Sequence, residues 1–449
     1  MLFTNKKNLE EKTKSVMDVF KKKIKIIDEE KLKGEIIDDL VENLQFNKNE
    51  EIKKTCEKII WQVAFQKGIY PASLYSFYQN LAKKKKTNFT IPAINLRGLT
   101  YQTSQALIKA AKKNKVGLFI IELAPSEMEY THQSPEEYAA VILAAAIKQN
   151  FSGPLFIQAD HFALDRKKYL NNPKLEIKRF KNLISRVIKA GFFNIDLDMS
   201  SLVGEGKEDV FTQQKNNFIL TAFFTQFIRR QEPKNIEINI GGEVGEIGKK
   251  NSTPADLDVF MEGYKKELSR LGVSKGISKI GIQNGVSHGG DVLPGGGMAK
   301  SKVDFELLKK LSLMARQKYG LAGAVQHGAS TLPLSYFKKF PEFQAIEIHL
   351  ATDFQNIILD HPAFPSKLQK KIYQWLLQNK KNERKKGWTK AQFIYKIRKM
   401  AWGQFKKEIT NIDKQAKEKI AKSLEERFNF LFNELKVKNT QKLINNIKN

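Results

Sequence analysis

Residues 154–161 read PLFIQADH. A short apolar, β-favouring run ends on an aspartate and a histidine, as in a buried strand whose carboxyl end carries the polar groups. Seven further runs share this texture: FTIPAINL from Phe89, VGLFIIELA from Val116, FFNIDLDM from Phe192, IEINIGGEVG from Ile236, SKIGIQNGVSH from Ser278, AGAVQHGAS from Ala322 and AIEIHLATD from Ala345. Between them lie segments with apolar residues at helical spacing, such as SPEEYAAVILAAAIKQN from Ser134 and DFELLKKLSLMARQKYG from Asp304. Ser134 and Glu137 are spaced as a capping box. Eight β-α units over residues 89–354 predict an α/β fold, a closed (β/α)8 TIM barrel, in preference to an open doubly wound sheet.

Outside that stretch the pattern is helical. In residues 1–86 Val16, Phe20, Ile24 and Ile27 recur at three- and four-residue steps, which predicts an N-terminal helical extension and calls for no strand. The polar breaker AKKKKTN from Ala82 ends it, and the barrel is expected over residues 87–360. Residues 361–449 read as a C-terminal helical extension. Its apolar face of Ile420, Leu424, Phe428, Leu431 and Phe432 is expected to pack on the barrel or on a second subunit of a homo-oligomer.

Composition limits the functions available. The 449 residues carry 77 Lys+Arg against 48 Asp+Glu, a formal net charge of +29. The excess is spread along the chain rather than gathered in one stripe, so a dedicated nucleic-acid protein is not expected. No run approaches the ~18 apolar residues of a membrane span. The start also turns charged too early for a secretory signal, so a soluble cytoplasmic protein is the expectation. The single cysteine, Cys56, excludes an internal disulfide and a thiolate cluster, so any metal must use histidine and carboxylate.

There are six histidines, and His161, His288 and His327 fall at the carboxyl ends of the third, sixth and seventh runs. In a barrel those ends meet at one mouth, where three imidazoles with an open position suit a catalytic divalent ion. Taken singly, each is as well read as an ordinary hydrogen-bonded histidine. Asp160, beside His161, suits general acid/base work or the orientation of a histidine. The glycine-rich strand ends GGEVGEIG, VSHGGDVLPGGGM and QHGAST offer backbone N–H groups to an anion. A metal beside a phosphate site fits sugar-phosphate chemistry, in which a cation polarises a carbonyl and stabilises an enediolate.

In this order the motifs TIPAINL, QADHF, GFFNIDLDMS, EVGEIG, NGVSHGG, AVQHGAST and HLATDFQ resemble the class II metal-dependent fructose/tagatose-bisphosphate aldolases along most of residues 89–355. The resemblance implies a zinc-dependent lyase, with other divalent ions possible, that cleaves a ketose bisphosphate to dihydroxyacetone phosphate and an aldehyde, or condenses them. It implies Asp160 as catalytic acid/base, His161, His288 and His327 as metal ligands, and Glu243 as a carboxylate able to approach the metal. Gly289, Gly328, Ala329, Ser330 and Thr352 would surround the substrate phosphate, with Ala329 tolerated where the family has glycine only at negative φ. His349 is expected to bind substrate or to fill a barrel layer.

Some positions depart from the family pattern. His349 and Ala351 replace Asn and Asp, Ala124 replaces a serine, and Asn251 follows Lys249 and Lys250 where an acid is usual. Substitutes are expected from His349 or from Arg398 and Lys399 in the C-terminal extension. The alternatives are an aldolase-like barrel that keeps metal without catalysis or acts on another substrate, and a nucleic-acid-binding protein.

Overall fold

The structure is a computed structural model and describes residues 2–18, 24–204, 208–245, 250–286, 290, 292–294, 303–444 and 447. Eight parallel strands follow the eight apolar runs: β1 (Ile91–Asn95), β2 (Ile120–Leu123), β3 (Gly153–Phe162), β4 (Asn194–Leu197), β5 (Asn239–Glu243), β6 (Lys279–Ile282), β7 (Ala324–Gln326) and β8 (Glu347–Leu350). Each pairs with its sequence neighbours, β8 pairs with β1, and the sheet closes into the expected barrel. The apolar residues between the polar ones pack outward against the helices, so the hydrophobic core is the layer between sheet and helices. Side-chain caps fix several helix starts. Ser134 accepts from the Glu137 amide, Asp304 from that of Leu307, and Thr253 forms a capping box with Asp256. At Ser134 only half of the expected box forms, because the Glu137 carboxylate is drawn to Lys406 at 2.6 Å.

The N-terminal segment is mostly helical, through Ile37–Phe46, Glu50–Gln66 and Tyr75–Ala82, but it contains strands that its apolar spacing did not suggest. Met17–Asp18 pairs antiparallel with Lys25–Ile26, and the Val16 to Ile27 stretch is not one helix. Ile27 is 58% exposed while Val16 and Ile24 are buried, and Phe20 lies outside the described residues. Asp28 explains the break. Its carboxylate accepts the Lys31 amide at 2.9 Å and starts a new helical turn, leaving the β-branched residues before it extended. Ile69–Pro71 runs parallel to the first residues of β3, adding a ninth strand outside the barrel.

The C-terminal helices pack on their own barrel. On Lys414–Glu434, Phe428 meets Phe354 with ring centroids 5.0 Å apart, and Phe432 faces Phe119. The backbone N–H of Thr90 donates to Leu435 at 3.0 Å, which ties this helix to the start of β1. Nearer the mouth, Trp402 lies on Gly98, where an added Cβ would come within 2.0 Å of the indole. Among the described residues no helix is long and apolar enough to cross a membrane.

Candidate active site at the barrel mouth

A residue in the left-handed region builds the site. His161 has φ 43°, and the pairing of β3 with β4 shifts register between Ala159 and Phe162. A regular strand would send Asp160 and His161 to opposite faces. The irregularity, strained for a side chain with a Cβ, turns both toward the mouth.

His161 Nδ1 lies 3.1 Å from Asp198 Oδ2 and 3.4 Å from Glu243 Oε2, which fixes the ring. Asp198 is in turn held by the Ser200 hydroxyl at 2.6 Å. The His327 ring is 4.3 Å from that of His161, and ligand atoms of Asp160, His161 and His327 lie within 4.8 Å of one another. Space for this pair comes from Gly281 on β6, where a Cβ would lie 3.0 Å from His327 and 3.1 Å from Glu243. The structure thus brings together Asp160, His161, His327 and Glu243, while His288 and Gly289 lie outside the described residues.

Two carboxyls of the cluster shift in opposite directions. Burial and then repulsion from Asp198 push the Glu243 carboxyl up to about 8, against attraction from His161. Glu243 Oε1 is buried and accepts no hydrogen bond among the described residues. Burial opposes charge on Asp160, but His161, His349 and His327 outweigh it and hold the carboxyl well below the usual carboxylate range. Asp160, His161 and His327, with Glu243 Oε1 3.6 Å from His327 Nδ1, form a nitrogen and oxygen donor set that fits a divalent ion without sulfur.

Around the donors a mouth cavity of about 650 Å³ opens. Gly328, Ser330 and Thr352 line it. Gly328 takes φ 69°, and Ala329 opens a 3-10 turn without a positive φ, the condition for alanine to stand there. Ser330 Oγ accepts the Ala351 and Thr352 amides at 2.6 and 3.2 Å, tying the loops after β7 and β8 together. Of the two basic residues of the C-terminal extension, Lys399 lines the cavity, whereas Arg398 turns away to Asp360 at 2.6 Å. Arg97 supplies a second cation. It donates to Glu127 at 2.7 Å and to Thr352 Oγ1 at 3.2 Å.

Below the mouth the barrel interior is charged. Lys279 on β6, fully buried, donates to Glu347 (2.5 Å), Gln158 (2.8 Å) and Asp196 (2.9 Å). Glu347 also accepts from Tyr78, which reaches in from the N-terminal extension. Gly241 leaves room for this pair, since a Cβ there would lie 2.3 Å from Asp196. The sequence reading did not single out Asn95, Arg97, Asp198, Lys279 or Glu347. The usable signal was polar residues set inside otherwise apolar runs, as at Asn95, Lys279 and Glu347.

A sequence profile of the class II fructose-bisphosphate aldolases matches residues 76–434. The chain belongs to this family. No curated protein sequence matches it. Among solved structures, fructose-bisphosphate aldolase from Campylobacter jejuni is 18% identical, with a TM-score of 0.49 over 83% of this chain and 97% of that one. A probable tagatose 6 phosphate kinase from Sinorhizobium meliloti 1021 is 16% identical, with a TM-score of 0.52 over 75% and 87%. Fructuronate-tagaturonate epimerase from Cohnella laeviribosi is 10% identical, with a TM-score of 0.55 over 78% and 82%. At such identities these are likenesses of fold. Members of the family generally depend on a divalent metal, which the donor set described above suits.

Proposed function

We propose that the protein is a metal-dependent aldolase that cleaves or condenses a ketose phosphate, bisphosphates foremost, at the mouth of the barrel. The observation carrying this reading is the 4.3 Å His161–His327 pair with the Asp160 carboxylate beside it, under a cavity faced by Arg97 and Lys399. His161, His327 and, from outside the described residues, His288 would hold zinc or a similar ion, with Glu243 able to approach it. Such an ion polarises a ketose carbonyl and lowers the cost of the negative charge that develops on it. Asp160, ionised, takes the proton from the hydroxyl of the carbon that leaves as aldehyde, and the electrons of the broken carbon–carbon bond pass to the ketone half. Condensation runs the same transfers backward.

Ser330 already occupies the Ala351 and Thr352 amides. The substrate anion therefore falls to the backbone about Gly328, Ala329 and Gly289, to the Thr352 hydroxyl, and to the cations Arg97 and Lys399. A ketose phosphate other than fructose bisphosphate is the second reading, favoured by His349, whose ring nitrogens face Asp160 and Glu347. A cytoplasmic homo-oligomer completes the proposal, in keeping with the one reduced, buried cysteine, Cys56.

The test is cleavage of fructose and tagatose bisphosphates and of ketose monophosphates, before and after chelation. Activity that disappears with chelator and returns with added zinc or another divalent ion, and is lost in Asp160→Ala with metal content intact, supports the reading. Full cleavage after exhaustive chelation overturns it.

A further inference from the structure

On β8, alternate residues face one side of the sheet, so Glu347 and His349 both enter the barrel. The resemblance assigns position 349 to substrate, yet the histidine is only 5% exposed. Its Nδ1 lies 3.0 Å from Asp160 Oδ1 and its Nε2 lies 2.7 Å from Glu347 Oε1. Both ring nitrogens are thereby engaged inside the protein, and a contact with substrate would break one of these bonds.

We propose that His349 is a positioning residue that holds the Asp160 carboxylate in its working orientation, taking Glu347 as its anchor. This inference rests on the aldolase reading for its kinetic consequence, and on geometry alone for the positioning itself. Asp160 lies near the end of β3, just before the left-handed His161, so the backbone turns its side chain to the mouth while leaving the carboxylate free to rotate about its own side-chain bonds. Two donors restrict it: His349 at Oδ1, and Asn95 Nδ2 at Oδ2, 3.0 Å away. Asn95 is steadied by Glu127 at 2.9 Å. His349 is steadied from behind. Glu347 accepts from Lys279 and from Gln158 at 2.9 Å, and its other oxygen accepts from Tyr78. A continuous line of alternating partners thus runs from the barrel floor, Lys279 to Glu347 to His349 to Asp160, with no member that can turn without breaking a buried bond. Positioning of this kind matters kinetically, because displacing a reacting group by about 1 Å can cost ~100-fold in rate.

The two ring nitrogens can be tested separately. An asparagine amide nitrogen takes the place of Nδ1, and a glutamine amide nitrogen takes that of Nε2. His349→Asn therefore keeps the donor to Asp160, His349→Gln keeps only the one to Glu347, and His349→Leu keeps neither. The expected result is a kcat reduced by roughly 30- to 100-fold in the Gln and Leu variants. His349→Asn stays within about 10-fold of the parent, and KM and metal content are unchanged in all three. A raised KM with kcat retained, or equal kcat in the Asn and Gln variants, would overturn the proposal in favour of a substrate contact. Crystal structures of the Asn and Gln variants give a readout independent of activity. The Asp160 carboxylate keeps its orientation in the first and swings in the second, and an unmoved carboxylate in the Gln variant refutes the proposal. If the parent cleaves no ketose phosphate, the aldolase reading fails while the crystallographic comparison still decides the positioning.

Discussion

Replacing Lys279 with methionine tests whether the charged barrel floor supports the fold. Methionine keeps nearly the reach of the side chain and removes its charge. It leaves Glu347 and Asp196 buried without the ammonium that lay 2.5 and 2.9 Å away, and Gln158 without a donor at 2.8 Å. Breaking a buried pair by deleting one partner costs about 3–5 kcal/mol, which for a chain of 449 residues lowers the melting temperature by roughly 3–5 °C. The loss has a defined pH dependence. Burial opposes charge on Glu347, but Lys279 foremost, together with His349 and Gln158, holds its carboxyl well below the usual range. In the parent that contribution is present above the unfolded carboxylate pKa and fades as pH falls. In the variant, burial without the cation raises the folded pKa, so stability is highest at low pH and is lost as pH rises through the raised value. The gap between the two proteins should therefore be narrow near pH 5 and widest above pH 7. Urea unfolding at both pH values measures it, and adding Glu347→Gln to the variant should recover about 2 kcal/mol in a double-mutant cycle. A deficit below about 1 kcal/mol, or one indifferent to pH, would refute the reasoning.

Three further outcomes are expected. Elemental analysis of protein exposed to a divalent ion and desalted should give one ion per chain, falling to well under half in His161→Ala and His327→Ala, because each removes an imidazole from the donor set. Burial and then the charge of Arg97 lower the Lys399 ammonium to about 8. Its charged form thus exists below that pH, and calorimetric affinity for inorganic phosphate should decline as pH rises past 8, with proton uptake on binding. Lys399→Met should weaken binding roughly 10- to 100-fold, the worth of a charged hydrogen bond, and flatten the profile. Finally, Gly98→Ala forces a methyl against Trp402, and thermal unfolding with limited proteolysis should report a loss of about 1–3 kcal/mol and early cleavage in the C-terminal helices.

The barrel was legible because parallel strands buried on both faces leave long apolar runs, and eight of these alternated with helical periods. Asp160, His161 and His327 were legible because strand ends in a barrel share a mouth. The floor was not. Glu122, Asp196, Lys279 and Glu347 are polar residues within apolar runs, and one strand cannot tell which face a polar residue takes. Partners such as Lys279 and Glu347 are 68 residues apart, and Lys279 and Gln158 are 121 apart, so only closure of the sheet pairs them. His349 was named for substrate, or as the filler of a barrel layer, from its place in the motif, and its contacts with Asp160 and Glu347 across the closed barrel lay beyond what one strand shows. Arg398 and Lys399 were named together. Neighbours on the tight turn Arg398–Ala401 diverge, and only one faces the cavity.

Trp402 and Lys399 reach the mouth from a segment that follows β8 by about fifty residues. Translation therefore delivers the imidazoles first and the roof last. A nascent or clipped chain ending near residue 360 would possess every barrel strand, with Gly98 bare and Lys399 missing. Its mouth would keep Arg97 and the imidazoles but lack the second cation that faces the cavity.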